Sequence, residues 1–215
     1  MKQFAIIGIG RFGSSVAKTL AEMGHDVLAI DSDEERIEEI LEFVTHGVVV
    51  DALDEPALME LGLRNFDTVI VAIGQDIQAS ILVTVLLKEC GCKYVVAKAM
   101  NELHGRVLER TGADRVIYPE RDMGVRVAHN LVSNNVLEYI QLSPDYSIME
   151  VVAAPRFVGK NLRETGIGAK YGINIMAIKR GKNIFVAPAA EEIIQKGDVL
   201  LAVGSNDSLK NIEQE

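Results

Sequence analysis

The run Gly8-Ile9-Gly10-Arg11-Phe12-Gly13 places three glycines at the G-x-G-x-x-G spacing. Such a loop suits a phosphate. The first glycine allows a tight turn, the second lets the anion reach the backbone, and the third lets a helix pack closely on a strand. A helix starting here also presents free N–H groups and its positive dipole end. Asp31, with Ser32 beside it, lies about 20 residues further on, where a carboxylate can accept hydrogen bonds from ribose hydroxyls. Asp33 and Glu34 add negative charge there, which disfavours a 2′-phosphate. Arg11, inside the loop, can pair with a terminal or bridging phosphate through two hydrogen bonds. Its plainer reading is a solvated surface arginine.

Four further places fit the same crevice. Asp51-Ala52 follow a third apolar run, and Ala72-Ile73-Gly74 end a fourth. The carboxyl ends of parallel strands line the ligand crevice, and small residues there let backbone amides approach an adenine. Asp51 reads equally as a simple loop cap. Lys98 sits in an otherwise apolar fifth run. A buried lysine is costly unless paired, so it is expected to point from the strand end into the crevice; the other reading is an edge lysine that snorkels. Glu120, after Pro119, either faces phosphate through a divalent cation or supplies the acidic first turn of the next helix.

The elements that must position these residues alternate. Short apolar runs at 3–7, 26–30, 47–50, 67–73, 94–99 and 115–118 read as strands. Helical spacing is found at 13–24, 33–43, 54–61, 77–90 and 102–111, with Ser32 as the expected cap of the second helix. Six alternations of this kind imply a Rossmann-like, doubly wound parallel sheet covered on both faces. A helix at 121–134 follows. Its apolar Met123, Val125, Val127, Ala128, Leu131 and Val132 cover more than one face, so it is expected to have two partners. From residue 138 the pattern changes to short alternating stretches at 139–142, 147–152, 173–178 and 199–203, a hairpin at 179–186 and a short helix at 162–171. The expected division is an α/β lobe at 1–134, including the crossover helix, and a small α+β domain at 138–215, joined tightly near Asn134–Leu137.

Composition removes several classes. A net charge of −9 and a pI near 5.0 argue against nucleic acid and against docking on anionic lipid. No apolar run approaches a membrane span, and the N-terminus has no signal peptide. Cys90 and Cys92, one residue apart, point away from each other and suit a reducing compartment. No catalytic constellation emerges. His25 reads as a solvated turn residue, His46 lies at the amino end of a strand, His104 is on an outer helix and His129 on the two-partner helix. Neither a zinc spacing nor a nucleophile elbow is present. Binding without chemistry is the better reading; a small NAD-dependent oxidoreductase is the alternative, and a scaffold of an unrelated transporter a third.

Together the glycine loop, Asp31, Asp51-Ala52, Tyr118-Pro119-Glu120 and the segment Ala169-Lys170-Tyr171-Gly172-Ile173-Asn174-Ile175 resemble the regulatory (RCK, or KTN) subunits of Ktr/Trk potassium uptake systems, over essentially the whole chain. The resemblance implies a cytoplasmic regulatory subunit that binds adenine nucleotides (ATP, ADP, AMP or NAD(H)). It implies a crossover helix that joins two subunits, an eight-membered ring beneath a separate membrane potassium channel, and a second lobe open to another ligand. By position, Gly8, Gly10 and Gly13 resemble the phosphate loop, Arg11 the sensor of a terminal phosphate, and Asp31 the ribose acid. Lys98 and Glu120 resemble interface residues that meet phosphate or cation. Asn174 and Pro188 resemble positions lining a cyclic di-AMP pocket in some members; Gly168 here replaces the arginine such members carry, which removes the likeliest phosphate partner.

Overall fold

The computed structural model describes residues 1–132 and 136–214. Strands β1 (Gln3–Ile7), β2 (Asp26–Asp31), β3 (His46–Val49), β4 (Thr68–Val71), β5 (Val95–Lys98) and β6 (Arg115–Ile117) pair in parallel in the order β3-β2-β1-β4-β5-β6. Alternate residues supply opposite faces. Ala5, Ile7, Leu28, Ile30, Val69 and Val71 join one core cluster, while Ile6, Val27, Ala29 and Ile70 join the other. Helices α1 (Arg11–Glu22) and α2 (Glu34–Leu41) close the second face through Ala17, Ile37 and Ile40. Helices α3 (Glu55–Glu60), α4 (Ile77–Glu89) and α5 (Glu102–Arg110) close the first through Leu58, Val83, Leu87 and Leu108. Both faces are covered, as the alternation requires. The order reverses between β1 and β4, which opens a crevice at their carboxyl ends.

Side-chain caps set where the helices begin. Asp33 caps α2, Asp54 α3, Asp76 α4 and Asn101 α5, each accepting first-turn N–H groups. The expected cap of α2, Ser32, is therefore corrected to Asp33. The backbone turns into the helix one residue later, and Asp33 Oδ1 receives the N–H groups of Glu35 and Arg36. One histidine differs from expectation, and a second, on the outer helix expected for it, turns its ring inward. His25 is half-buried with its ring 5.3 Å from that of Phe4, rather than solvated. His104 lies on an inward face of α5, where Nδ1 accepts the Met100 N–H at 3.2 Å. Burial pushes its pKa down, so it is neutral with the proton on Nε2.

The chain divides into two compact units, Met1–Arg121 and Asp122–Glu215, and helix α6 (Pro119–Val132) runs across the division. The expected junction near Asn134–Leu137 falls largely outside the described residues, as do the side chains of His129 and Val132 on α6. Residues 120–128 of α6 are all exposed, including Met123, Val125 and Val127, and so is Leu131. In the second unit β7 (Val136–Gln141), β8 (Tyr146–Val152), β9 (Asn174–Arg180), β10 (Asn183–Val186) and β11 (Val199–Ser205) form an antiparallel sheet in the order β10-β9-β11-β8-β7. Met149, Val151, Ile178, Leu200 and Ala202 form its core with Ile167, Ile194 and Leu209. The expected helix at 162–171 is two, α7 (Leu162–Thr165) and α8 (Ile167–Tyr171), because Gly166 between them is left-handed at φ 61°. Arg180 holds the fully buried Asp198 by two hydrogen bonds of 2.9 Å. Burial opposes the charge, but the guanidinium prevails and keeps the Asp198 carboxyl below its usual range. Its stabilising contribution is present above the ordinary aspartate pKa and is lost as pH falls through the depressed value.

Candidate functional site

The glycine loop sits where β1 meets α1, and each glycine answers to a different neighbour. Gly8 has φ 95°, and a Cβ there would lie 3.1 Å from the Ala72 carbonyl carbon and the Ile73 nitrogen at the end of β4. A Cβ on Gly13 would stand 1.9 Å from the Gly8 carbonyl oxygen. On Gly10 it would meet nothing within 4 Å. So Gly8 and Gly13 are required by the fold, whereas Gly10 borders open space.

That space faces the start of α1, which has no side-chain cap, unlike α2, α3, α4 and α5. First-turn N–H groups have no partner inside their own helix, so Arg11, Phe12 and Gly13 leave donors there for an anion. The Arg11 side chain is exposed.

Asp31 ends β2 beside the loop and is only 7% exposed. Its Oδ2 accepts the Ile9 N–H at 2.6 Å, and its Oδ1 accepts the Asp33 N–H at 3.0 Å. The acid therefore also ties the loop to β2, a role the spacing alone did not reveal. Arg36 on α2, which sequence reasoning missed, reaches both Asp31 Oδ2 (3.5 Å) and Asp33 Oδ2 (3.2 Å). The available signal was an arginine three residues after an N-cap aspartate. Ser32 is exposed next to this pair.

Across the switch point, Lys98 is 7% exposed and points out of the carboxyl end of β5. Its Nζ lies 2.5 Å from Glu120 Oε1 and 5.7 Å from the Phe12 ring centre, and a Cβ on Gly74 would be 3.3 Å away. The structure thus gathers Phe12, Gly74, Lys98 and Glu120 beside the loop. The hydrogen-bonded Lys98 ammonium holds the Glu120 carboxyl below the usual range. The pair is intact above that range and opens as pH falls through the depressed value.

Asp51 and Ala52 are less clearly site residues. Asp51 Oδ1 accepts the Leu53 N–H at 3.0 Å, which makes it a turn former, and Ala52 is buried in the core. For the second lobe, Asn174 opens β9, Gly168 is exposed on α8, and Pro188 follows Ala187, whose φ is 48°. No group of three or more His, Cys, Asp or Glu able to hold a metal lies among the described residues. Glu120 offers one carboxylate already engaged by Lys98, so one chain does not make a cation site.

A parallel sheet with the 3-2-1-4-5-6 order, a glycine loop at its switch point and an acid at the end of β2 define a nucleotide-binding lobe of the dinucleotide type. The TrkA-N domain family matches residues 4–119, and the TrkA-C domain family matches residues 147–215. The chain is 51% identical to the Ktr system potassium uptake protein C of Bacillus subtilis over 213 residues, covering 99% of this chain and 96% of that protein. It is 48% identical to the Ktr system potassium uptake protein A of the same organism, covering 100% and 96%. The RCK domain of GsuK shares the fold with a TM-score of 0.70 at 19% identity, over 99% of this chain and 47% of that one. The chain belongs to the TrkA-N/TrkA-C family, as an RCK regulatory subunit of a potassium uptake system of the Ktr/Trk type.

Proposed function

We propose that the N-terminal lobe binds an adenine nucleotide whose phosphates rest on the open end of α1, and that this binding regulates a separate membrane potassium-translocating subunit without catalysing a reaction. The observation that carries this is the uncapped start of α1 opposite the unobstructed Gly10, in a lobe whose other principal helices are capped. Asp31 accepts the ribose hydroxyls, while Lys98 and Arg11 face the phosphates. Nucleotides differing by one phosphate bias the subunit differently through these two cations, because a ligand shifts an equilibrium only by its differential affinity for the two states. The relatives named above belong to potassium uptake systems, which supports a membrane partner and a cytoplasmic location at its inner face. No helix among the described residues is long and apolar enough to cross a membrane. A divalent cation at Glu120 needs carboxylates from a second subunit.

The test is calorimetric titration with ATP, ADP, AMP, NAD and NADH. If Arg11 pairs with a terminal phosphate, Arg11→Ala weakens ATP more than AMP, by about 10- to 150-fold for a charge-assisted bond of roughly 1.5–3 kcal/mol. Equal losses for both place Arg11 away from the phosphates. Turnover of NADH with a candidate substrate would instead favour the oxidoreductase reading.

Self-association follows from α6. Met123, Val127 and Leu131 recur at i, i+4 and i+8, and all three are exposed on the single chain. We infer that this stripe packs on a second subunit, the first step towards a ring of eight. Replacing Val127 and Leu131 with Asp is expected to lower the mass measured by light scattering. An oligomer of unchanged mass would show that α6 packs elsewhere.

A further inference from the structure

We propose that Arg36 is a built-in competitor for the ribose carboxylate, holding part of Asp31 until an adenine nucleotide displaces it. This rests on the nucleotide reading and adds a residue that sets its affinity. A carboxylate offers about four acceptor positions on its two oxygens. Two on Asp31 are taken permanently by backbone, the Ile9 N–H at 2.6 Å and the Asp33 N–H at 3.0 Å. The 2′- and 3′-hydroxyls of a ribose need the two that remain. Arg36 Nη1, 3.5 Å from Oδ2, stands over one of them.

The arginine has somewhere to go. Its Nε lies 3.2 Å from Asp33 Oδ2, one turn back along its own helix, and half of its side chain is exposed. Asp33 caps α2 through the other oxygen, Oδ1, so accepting Arg36 fully costs the helix nothing. Displacement from Asp31 therefore breaks one arm of the guanidinium contact and leaves the other. The remaining carboxylate sites pass to neutral hydroxyl donors, and the Arg36 charge stays paired. The nearly buried Asp31 cannot turn away, because both of its backbone bonds fix its orientation.

The experiment compares ADP with 2′,3′-dideoxy-ADP in the full-length wild type and in Arg36→Gln. The two ligands carry the same charge, so the loss of a cation affects both alike and cancels in their ratio. Only the hydroxyls must displace Arg36. The preference for ADP over the dideoxy analogue is expected to rise about 2- to 5-fold in Arg36→Gln, the span of a half-exposed ion pair. A preference that is unchanged or smaller overturns the competitor role, and a smaller one identifies Arg36 as a clamp on the ribose. Equal binding of the two ligands by wild type and by Arg36→Gln alike removes Asp31 as the ribose acceptor, and the proposal with it. Wild type that binds neither sinks the nucleotide reading itself, before the variant is compared.

Discussion

Gly10→Val is expected to abolish adenine-nucleotide binding while leaving the fold intact. Gly10 has φ −75° and ψ −171°, extended backbone that valine adopts without strain. Its Cβ would touch nothing within 4 Å, so the nucleotide-free chain should melt as the wild type does. The added methyl groups occupy the space that a phosphate must enter to reach the first-turn donors of α1. Losing two charge-assisted hydrogen bonds costs about 3–6 kcal/mol, at least about 100-fold in affinity. Calorimetry should show no heat with ATP or ADP, and neither nucleotide should raise the melting temperature. Binding retained at wild-type strength would remove the loop from the site.

Gly13→Ala should fail in the opposite way. A Cβ 1.9 Å from the Gly8 carbonyl oxygen cannot be relieved by a side-chain rotation, because the obstacle is backbone. Gly8 is itself held by a 2.8 Å bond from its N–H to the Ile30 carbonyl and by its closeness to Ala72, so α1 must move off the sheet. Overpacking of this kind costs about 3 kcal/mol, the top of the usual range. Urea unfolding should show the loss in the first unit, with the second unit's transition unmoved. A stability within about 0.5 kcal/mol of wild type, the usual range for a harmless surface change, would mean that the loop is more yielding than its geometry indicates.

The contrast between these glycines marks how far a sequence can be read. Their spacing names the motif and the strand–loop–helix context confirms it, so the parallel, doubly wound sheet, the loop and the place of Asp31 at the end of β2 were legible, whereas the strand order was not. Which glycine serves the ligand and which serves packing depends on what lies opposite: for Gly13 the carbonyl of Gly8, for Gly8 the distant chain at Ala72, and for Gly10 open space. Lys98 was legible for the same physical reason that made it odd, since a charge in an apolar strand must find a partner. Its partner, Glu120, comes from the start of another element. Ser32 and Asp33 are both good caps, and only the point where the backbone turns decides between them. His104 was placed on the right helix, but the sequence did not say that it faces inward. The neighbouring Gly105 was the available clue, for a Cβ there would strike the Tyr118 hydroxyl at 1.8 Å. Helix α9 (Asn206–Gln214), which buries Leu209 in the second core, went unanticipated.

Helix α6 has a consequence for the life of the newly made chain. It is 14 residues long, and residues 120–128 are exposed throughout. Helices of that length are marginal in water without packing. A subunit at low concentration would therefore spend much of its time with this segment unwound, offering proteases an extended stretch between its two folded units. Assembly would shield the same peptide bonds. If α6 packs on a second subunit as proposed, subunits made in excess of their partners would be cut and cleared while assembled ones persist, and a helix exposed at residues 120–128 of the single chain would set that balance.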